Sequence, residues 1–226
     1  MADAPAVLSG VLGGARDHGG SSGAYRFRQW RFNGGGRLEI LEPVGTDGFL
    51  SRFLRGRGPG IHHVTFLVPS LREACERARA HGYDIVGYDD SEPEWREAFL
   101  HPRQALGIVV QLAESRWARA EALIEHSNAP LPVTILGLRM RAHIAERARR
   151  QWELVLGGRG TQGPGGELIF RWPRSAMRLA VELDPLAEEG ALAIEYASER
   201  PIALPHRRHP VLGAMFTRHP SAQDGP

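Results

Sequence analysis

The segment GIHHVTF, Gly60–Phe66, determines the predicted fold of this 226-residue chain. Its apolar residues predict a β-strand, and Ser70 and Glu73 follow closely. These two residues form an S-x-x-E capping box, so we expect a helix that begins there and ends at Gly82. Three strand-like runs come next, Tyr83–Tyr88, Arg96–Leu100 and Gly107–Ala113. The predicted order is therefore βαβββ.

A later stretch of the chain repeats this order. Val133–Met140 predicts a strand, and Ile144–Leu156 predicts a helix because its apolar residues recur at helical spacing. The glycine-rich segment Gly157–Gly166 does not follow a strand, so we expect a helix end and a flexible connector rather than a phosphate-binding loop. Three further strands are predicted, Glu167–Trp172, Met177–Leu183 and Ala191–Ala197.

The amino-terminal region resembles the back part of a further module. Val7–Leu12 resembles a helix end, and Tyr25–Phe32 and Arg37–Leu41 predict two strands joined by a glycine turn. The predicted class is α+β, with βαβββ modules that form curved mixed sheets and carry their helices on the convex face. We expect four parts: a domain of a truncated and a complete module over 1–114, a helical linker over 115–130, a third module over 131–198, and a partly disordered tail over 199–226.

The composition excludes several classes of chemistry. Every basic side chain is arginine, so a Schiff-base lysine and a Walker-type phosphate lysine are absent. The net charge is only +2 and the arginines are interspersed with acids, which argues against nucleic acid as a partner. No apolar run predicts a membrane span or a secretory signal, so we expect a cytoplasmic protein without a membrane partner.

Strand alternation selects three polar side chains as a candidate site. Val64 and Phe66 should face the helix, which leaves His63 on the opposite face of its strand. The same parity leaves Gln111 and Glu39 on the uncovered face. Imidazole, amide and carboxylate groups can together bind a divalent ion. The alternative is that all three are ordinary polar residues of a sheet surface.

The segment Arg37–Gln111 resembles the methylmalonyl-CoA epimerase branch of the vicinal oxygen chelate superfamily, which also contains glyoxalase I, extradiol dioxygenases and bleomycin resistance proteins. The resemblance rests on four motifs: LEILEP at 38–43, FLSRFLRGRGPGIHHVTFLV at 49–68, AFLHP at 98–102 and GIVVQL at 107–112. It implies a concave sheet around a divalent metal such as Mn, Co, Ni, Fe or Zn. Carried over by position, the metal ligands are His63, Glu39 and Gln111, and the catalytic candidates are Glu39 and Gln111.

The sequence departs from this family pattern in three ways. The family's remaining histidine ligand has no counterpart, because the strand that would carry it is missing. Gln111 stands where the epimerases have a glutamate that also acts as a base, and an amide cannot take up a proton. Gln29, with Arg28 and Arg31, occupies a strand on which the epimerases keep a second carboxylate.

Two functions from different classes follow. The first is a metal-dependent lyase or isomerase that acts on a small carbonyl or acyl-thioester substrate through an enolate-like intermediate. The second is a metal-free protein that sequesters a drug or metabolite in the same concavity, using Trp30, Phe32 and Trp95. A module that serves only in assembly is a third possibility. The odd number of modules also predicts a homodimer or an internal pairing of modules.

Overall fold

The computed structural model describes residues 1–115 and 130–220. The predicted helical linker lies almost entirely outside these residues. Those that are described form two compact units, the first made of 1–60, 130–137 and 193–220 and the second of 61–115 and 138–192. The mixture of strands and short helices confirms the predicted α+β class.

Thirteen strands occur in the described residues, together with three α-helices and two π-helical turns. The strands are β1 (Ala15–Ser21), β2 (Tyr25–Arg31), β3 (Arg37–Pro43), β4 (His63–Leu67), β5 (Ile85–Glu92), β6 (Trp95–Leu100), β7 (Val109–Ser115), β8 (Thr134–Ala142), β9 (Arg159–Gln162), β10 (Leu168–Arg171), β11 (Arg178–Leu183), β12 (Gly190–Ala197) and β13 (Met215–His219). The α-helices are α1 (Phe49–Arg57), α2 (Leu71–Ala80) and α3 (Ala145–Arg149), and the π-helical turns are Ala6–Val11 and Arg150–Val155.

The strands form three sheets, whose orders of hydrogen-bonded neighbours are β1-β2-β3, β4-β7-β6-β5 and β13-β12-β8-β11-β10-β9. In the second sheet β4 and β7 are parallel, and the β7-β6 and β6-β5 pairs are antiparallel. With α2 between β4 and β5, this sheet is the complete βαβββ module that the GIHHVTF segment predicted.

Helix α2 begins as its capping box predicts. The Glu73 amide donates to Ser70 Oγ at 3.3 Å, and the Leu71 amide donates to a carboxylate oxygen of Glu114 at 2.8 Å. These bonds satisfy two of the amide donors that a helix start leaves unpaired. The buried side of α2 consists of small or apolar residues, Leu71, Ala74, Cys75 and Ala78.

The core of the second unit combines the complete module with the segment 138–192. Phe66 of β4 stacks on Trp152, with ring centroids 5.8 Å apart, and meets the Trp172 ring edge-on at 4.9 Å. Arg77 of α2 donates to the main-chain oxygen of Val155. Both modules therefore bury their helical sides in one shared core, which removes far more apolar surface from water than either module could alone.

Two strand predictions for the later part of the chain need correction. Gly157–Gly166 is not merely a connector, because it contains β9, a four-residue edge strand that pairs with β10. The order β8-β11-β10-β9 thus repeats β4-β7-β6-β5, and β12 is an additional strand beyond it. A glycine-rich edge strand has no apolar alternation, so its sequence resembles a loop.

The first unit contains the two strands predicted for the amino-terminal region, β2 and β3, and two elements that the sequence did not reveal, β1 and α1. Its core includes Leu8 of the first π-helical turn and Leu12 directly after it, together with Trp30 and Phe32. The Trp30 indole N–H donates to Ser9 Oγ at 3.0 Å, which fixes this turn on the sheet. Strand β1 was missed because a bulge between Arg16 and Gly19 interrupts its alternation.

The carboxy-terminal tail contains β13, which pairs in parallel with β12. Buried Glu195 accepts a hydrogen bond from, or pairs with, the His219 ring at 3.0 Å between Oε1 and Nε2. Further along the same unit, Arg200 donates to the main-chain oxygens of Val11 and Leu131. The bond from Arg200 to Val11 joins the tail to the amino-terminal segment.

Replacing Trp152 by alanine should lower the free energy of unfolding by about 3–5 kcal/mol, because it removes a fully buried ring from the shared core. Urea denaturation followed by circular dichroism measures the change. Leu186→Ala is the matched control, since Leu186 is 96% exposed and its truncation should have almost no effect. An equal effect of both substitutions would contradict the assignment of this core.

Candidate functional site

The uncovered face of the β4-β7-β6-β5 sheet carries two of the three predicted site residues. On β7, Val110 and Leu112 are buried on the α2 side, which turns Gln111 to the other side. On β4, Val64 and Phe66 pack against the core, and His63 therefore shares the uncovered face with Gln111. This burial accounts for the predicted orientation of both side chains towards the uncovered face.

A continuous chain of hydrogen bonds crosses three strands on this face. Thr65 Oγ1 of β4 donates to Gln111 Oε1 at 2.5 Å, and Gln111 Nε2 donates to Glu97 Oε2 of β6 at 2.7 Å. The indole N–H of Trp95 donates to the same carboxylate oxygen at 2.8 Å. The amide of Gln111 thus uses both its acceptor and its donor within the sheet.

Glu97 is a site residue that sequence reasoning missed. Its strand offers the signal, because Ala98 and Leu100 are buried on the α2 side and alternation then places Glu97 beside Gln111. Two N–H donors, from Gln111 and Trp95, hold one of its oxygens, which gives the carboxylate a defined position. The face therefore carries a carboxylate, although not at the position where the family pattern expects one.

Two adjacent histidines lie at the amino-terminal end of β4. The Nδ1 atoms of His62 and His63 are 3.3 Å apart, so one ring can donate to the other only while at least one of them is neutral. Burial lowers the pKa of His62 to about 4. Burial, with a smaller contribution from the charge of His62, lowers the pKa of His63 to about 4 as well. Both imidazoles are neutral at physiological pH.

Glu39 lies in the first unit, on β3, opposite Gln29 of β2. Gln29 Nε2 donates to Glu39 Oε2 at 2.6 Å. The first unit thus has a glutamine followed by a glutamate on neighbouring strands, and the second unit has Glu97 followed by Gln111. Of the three predicted ligands, only His63 and Gln111 lie on the same sheet. A site that they form together with Glu39 stays a prediction.

The side chains fit a metal ion poorly. Among residues 1–115 and 130–220, no group of three or more histidine, cysteine, aspartate or glutamate side chains could hold one. The Gln111 amide, a predicted ligand, is already hydrogen-bonded through both of its polar atoms. We therefore derive no chemical step through a metal, and the predicted divalent ion stays an inference from family resemblance.

Of the three aromatic residues predicted to line a binding concavity, two do not. Trp30 and Phe32 are each only 1% exposed and belong to the core of the first unit. The prediction failed for them because an aromatic residue on a strand is equally compatible with either face until its packing partner is known. Trp95 is 39% exposed and lies beside Glu97 on the uncovered face.

Comparisons with known proteins agree with this architecture. Residues 2–99 match the family model described as the Glyoxalase/Bleomycin resistance protein/Dioxygenase superfamily. These residues, which make up less than half of the chain, are similar to that superfamily. An uncharacterised protein of Bacillus subtilis, YqjC, is 29% identical over 85 residues, which cover 35% of this chain and 59% of that protein. The chain thus spans less than two thirds of the length of this relative.

Two solved structures are among those that match this chain. A mutant of 4-hydroxymandelate synthase from Streptomyces coelicolor has a TM-score of 0.61 at 11% identity, with 88% of this chain and 67% of that chain covered. Methylmalonyl-CoA epimerase from Mycobacterium tuberculosis has a TM-score of 0.43 at 26% identity, with 49% and 77% covered. The similarity to the synthase reaches beyond residues 2–99.

Within the described residues, the helices are too short or too polar to cross a membrane.

Lowering the pH from about 6.5 towards 4 should destabilise the protein through the histidine pair. In the unfolded chain both imidazoles take up protons near their ordinary pKa of 6.5, whereas in the folded chain they stay neutral down to about 4. The unfolded state therefore binds more protons in this window, and stability falls as the pH falls. Above pH 6.5 both imidazoles are neutral in the folded and the unfolded state, so this loss of stability is absent there.

Denaturant titrations in the presence of a chelator, at about pH 7 and about pH 4.5, measure this loss. The double variant His62→Gln, His63→Gln should lose distinctly less stability between the two pH values than the wild type. His206→Gln, at an exposed position, is the control and should behave as the wild type does. An unchanged pH dependence in the double variant would refute the role of the pair.

Proposed function

We propose that this chain is a metal-free small-molecule-binding protein of the glyoxalase/bleomycin resistance/dioxygenase type, and that the ligand binds on the uncovered face of the β4-β7-β6-β5 sheet. The observation that carries the proposal is the double hydrogen bonding of Gln111. Its amide oxygen accepts from Thr65 and its amide nitrogen donates to Glu97, so the group at the expected ligand position is used to hold a carboxylate.

The polar contact to the ligand comes from Glu97. Both of its donors among the described residues, the Gln111 amide and the Trp95 indole, reach Oε2. Within the described part of the chain, Oε1 of Glu97 accepts no hydrogen bond and can receive one from a ligand N–H or O–H group. Such a bond to an ionised carboxylate is stronger than a neutral one and fixes the orientation of the ligand.

Apolar contact comes from large side chains that share this face. Leu67 of β4 is 50% exposed and Val86 of β5 is 40% exposed, and both lie on the same side of the sheet as Gln111. With Trp95, they provide apolar and aromatic surface around one fixed carboxylate. Small-molecule sites commonly combine a mainly apolar lining with a few well-placed polar groups.

The second candidate is a divalent-metal lyase or isomerase acting on a carbonyl or acyl-thioester substrate. The observation in its favour is that His63 is a neutral imidazole on the same face as Gln111, since metal ligation requires a neutral imidazole. In either case we propose a cytoplasmic homodimer with a small molecule as its ligand.

Metal analysis separates the two candidates. Protein purified without added metal should contain less than stoichiometric Mn, Co, Ni, Fe or Zn, and incubation with each ion should not change the free energy of unfolding. His63→Ala should therefore leave the metal content unchanged, as should the exposed control His206→Ala. Stoichiometric metal that is lost only in His63→Ala would reject the metal-free proposal in favour of the enzyme.

Glu97→Gln should weaken ligand binding by about tenfold or more, because it removes the only charge in the hydrogen-bonded chain. Titration of tryptophan fluorescence with a panel of small aromatic amines and aromatic alcohols measures the effect. Glu76→Gln, at an exposed position of α2 on the opposite side of the sheet, makes the same change in net charge and should leave binding unaltered. Equal affinities of wild type and Glu97→Gln for every bound compound would refute the role of Glu97.

A further inference from the structure

An open cleft of about 650 Å³ lies at the β1-β2 edge of the first unit, apart from the sheet face proposed above. Its lining is rich in charge: Arg16, Arg26 and Arg28 contribute three guanidinium groups, and Asp17 and Glu42 contribute two carboxylates. A volume of this size accommodates a small molecule. What the cleft can bind therefore depends on which of these charges are already neutralised.

Both carboxylates have cationic partners. Asp17 Oδ2 is 2.9 Å from Nε of Arg37, an arginine of β3 that does not line the cleft. Glu42 Oε2 is 2.9 Å from a terminal guanidinium nitrogen of Arg26, and Glu42 Oε1 is 3.4 Å from the N-terminal ammonium of Met1, which also lines the cleft. Both acids are thus already paired with other cations, and neither is left to neutralise Arg16 or Arg28.

Arg16 and Arg28 have no such partners. Within residues 1–115 and 130–220, neither makes an ion pair or a side-chain hydrogen bond. Arg28 is half-buried, so its unpaired charge has less access to water than that of an ordinary surface arginine. Two unpaired guanidinium groups in one concavity give the cleft a local excess of positive charge, although the net charge of the whole chain is only +2.

The strand register places these two arginines on one face. Arg16 of β1 pairs with Trp30 of β2, and Arg28 is two residues before Trp30, so all three point to the same side of the sheet. That side is the one that the first π-helical turn covers through Ser9 and Trp30. Gln29 points to the opposite side with its partner Glu39, so the cleft is separate from the predicted metal-ligand position in this unit.

We propose that this cleft is a second binding site, specific for small anions that carry a phosphoryl group. A tetrahedral oxyanion with at least two negative charges matches two arginine forks, each of which can donate two N–H bonds to it. Arg26 contributes less, because Glu42 already neutralises it. The site does not depend on the function proposed for the second unit.

Isothermal titration calorimetry of the full chain with inorganic pyrophosphate tests the proposal. Wild type should bind with one-site saturation at millimolar concentration or below. Arg28→Ala and Arg16→Ala should each weaken binding at least about tenfold. Arg72→Ala is the matched control, because Arg72 is an exposed arginine of α2 whose removal makes the same change in net charge, and it should leave the affinity unaltered.

A second pair of variants tests the sign of the effect. Glu42→Gln removes the partner of Arg26 and of the Met1 ammonium and should strengthen pyrophosphate binding several-fold, because both cations then become available to the anion. Glu76→Gln frees Arg72 on α2 and makes the same change in net charge, but should have no effect. Circular dichroism confirms that each variant is folded.

Three results would overturn the proposal: no saturable binding by the wild type, equal losses in Arg28→Ala and Arg72→Ala, or equal gains in Glu42→Gln and Glu76→Gln. Equal changes would mean that pyrophosphate responds only to net charge. Titration with sodium acetate at the same ionic strength distinguishes a phosphoryl site from a general carboxylate site. Acetate binding as tight as that of pyrophosphate would also reject the stated specificity.

Discussion

The burial of one side of the β4-β7-β6-β5 sheet beneath α2 is the constraint on which the candidate site depends. Leu100, Val110 and Leu112 must reach the core, and α2 presents small residues such as Ala74 and Ala78 to receive them. Because side chains alternate along a strand, this burial directs Gln111 and Glu97 to the other face. A shift of one residue in either strand would bury a carboxylate or an amide and expose an apolar side chain.

The Glu97–Gln111 contact also explains why an amide at position 111 suits this protein. A glutamate there would place two carboxylates within hydrogen-bonding distance, and like charges so close cannot both stay ionised at low cost. The amide instead donates to Glu97 and accepts from Thr65. The first unit also pairs one amide with one carboxylate, but there the amide lies on the earlier strand: Gln29 of β2 donates to Glu39 of β3. Each pair has one carboxylate and one amide.

Prediction from sequence succeeded where a short sequence pattern was compatible with only one local structure. The capping box at Ser70 located the start of α2, and apolar alternation gave the orientations of His63 and Gln111. It failed for β1, which a bulge interrupts, and for β9, whose glycines carry no apolar pattern. Glu97 was missed because the family pattern does not expect a carboxylate at that position, although alternation around Ala98 and Leu100 indicated its orientation.

The sequence by itself determined the α+β class, the βαβββ order around the GIHHVTF segment and the side of the sheet to which His63 and Gln111 point, because these depend on residues close together in the chain. Only the tertiary structure decided the hydrogen-bond partners of Gln111, the burial of Trp30 and the absence of an ion-pair partner for Arg28 among the described residues. These properties depend on residues far apart in sequence, whose distances a local pattern does not contain. For that reason the fold could be inferred from motifs, whereas the chemistry of both candidate sites required the register of the sheets.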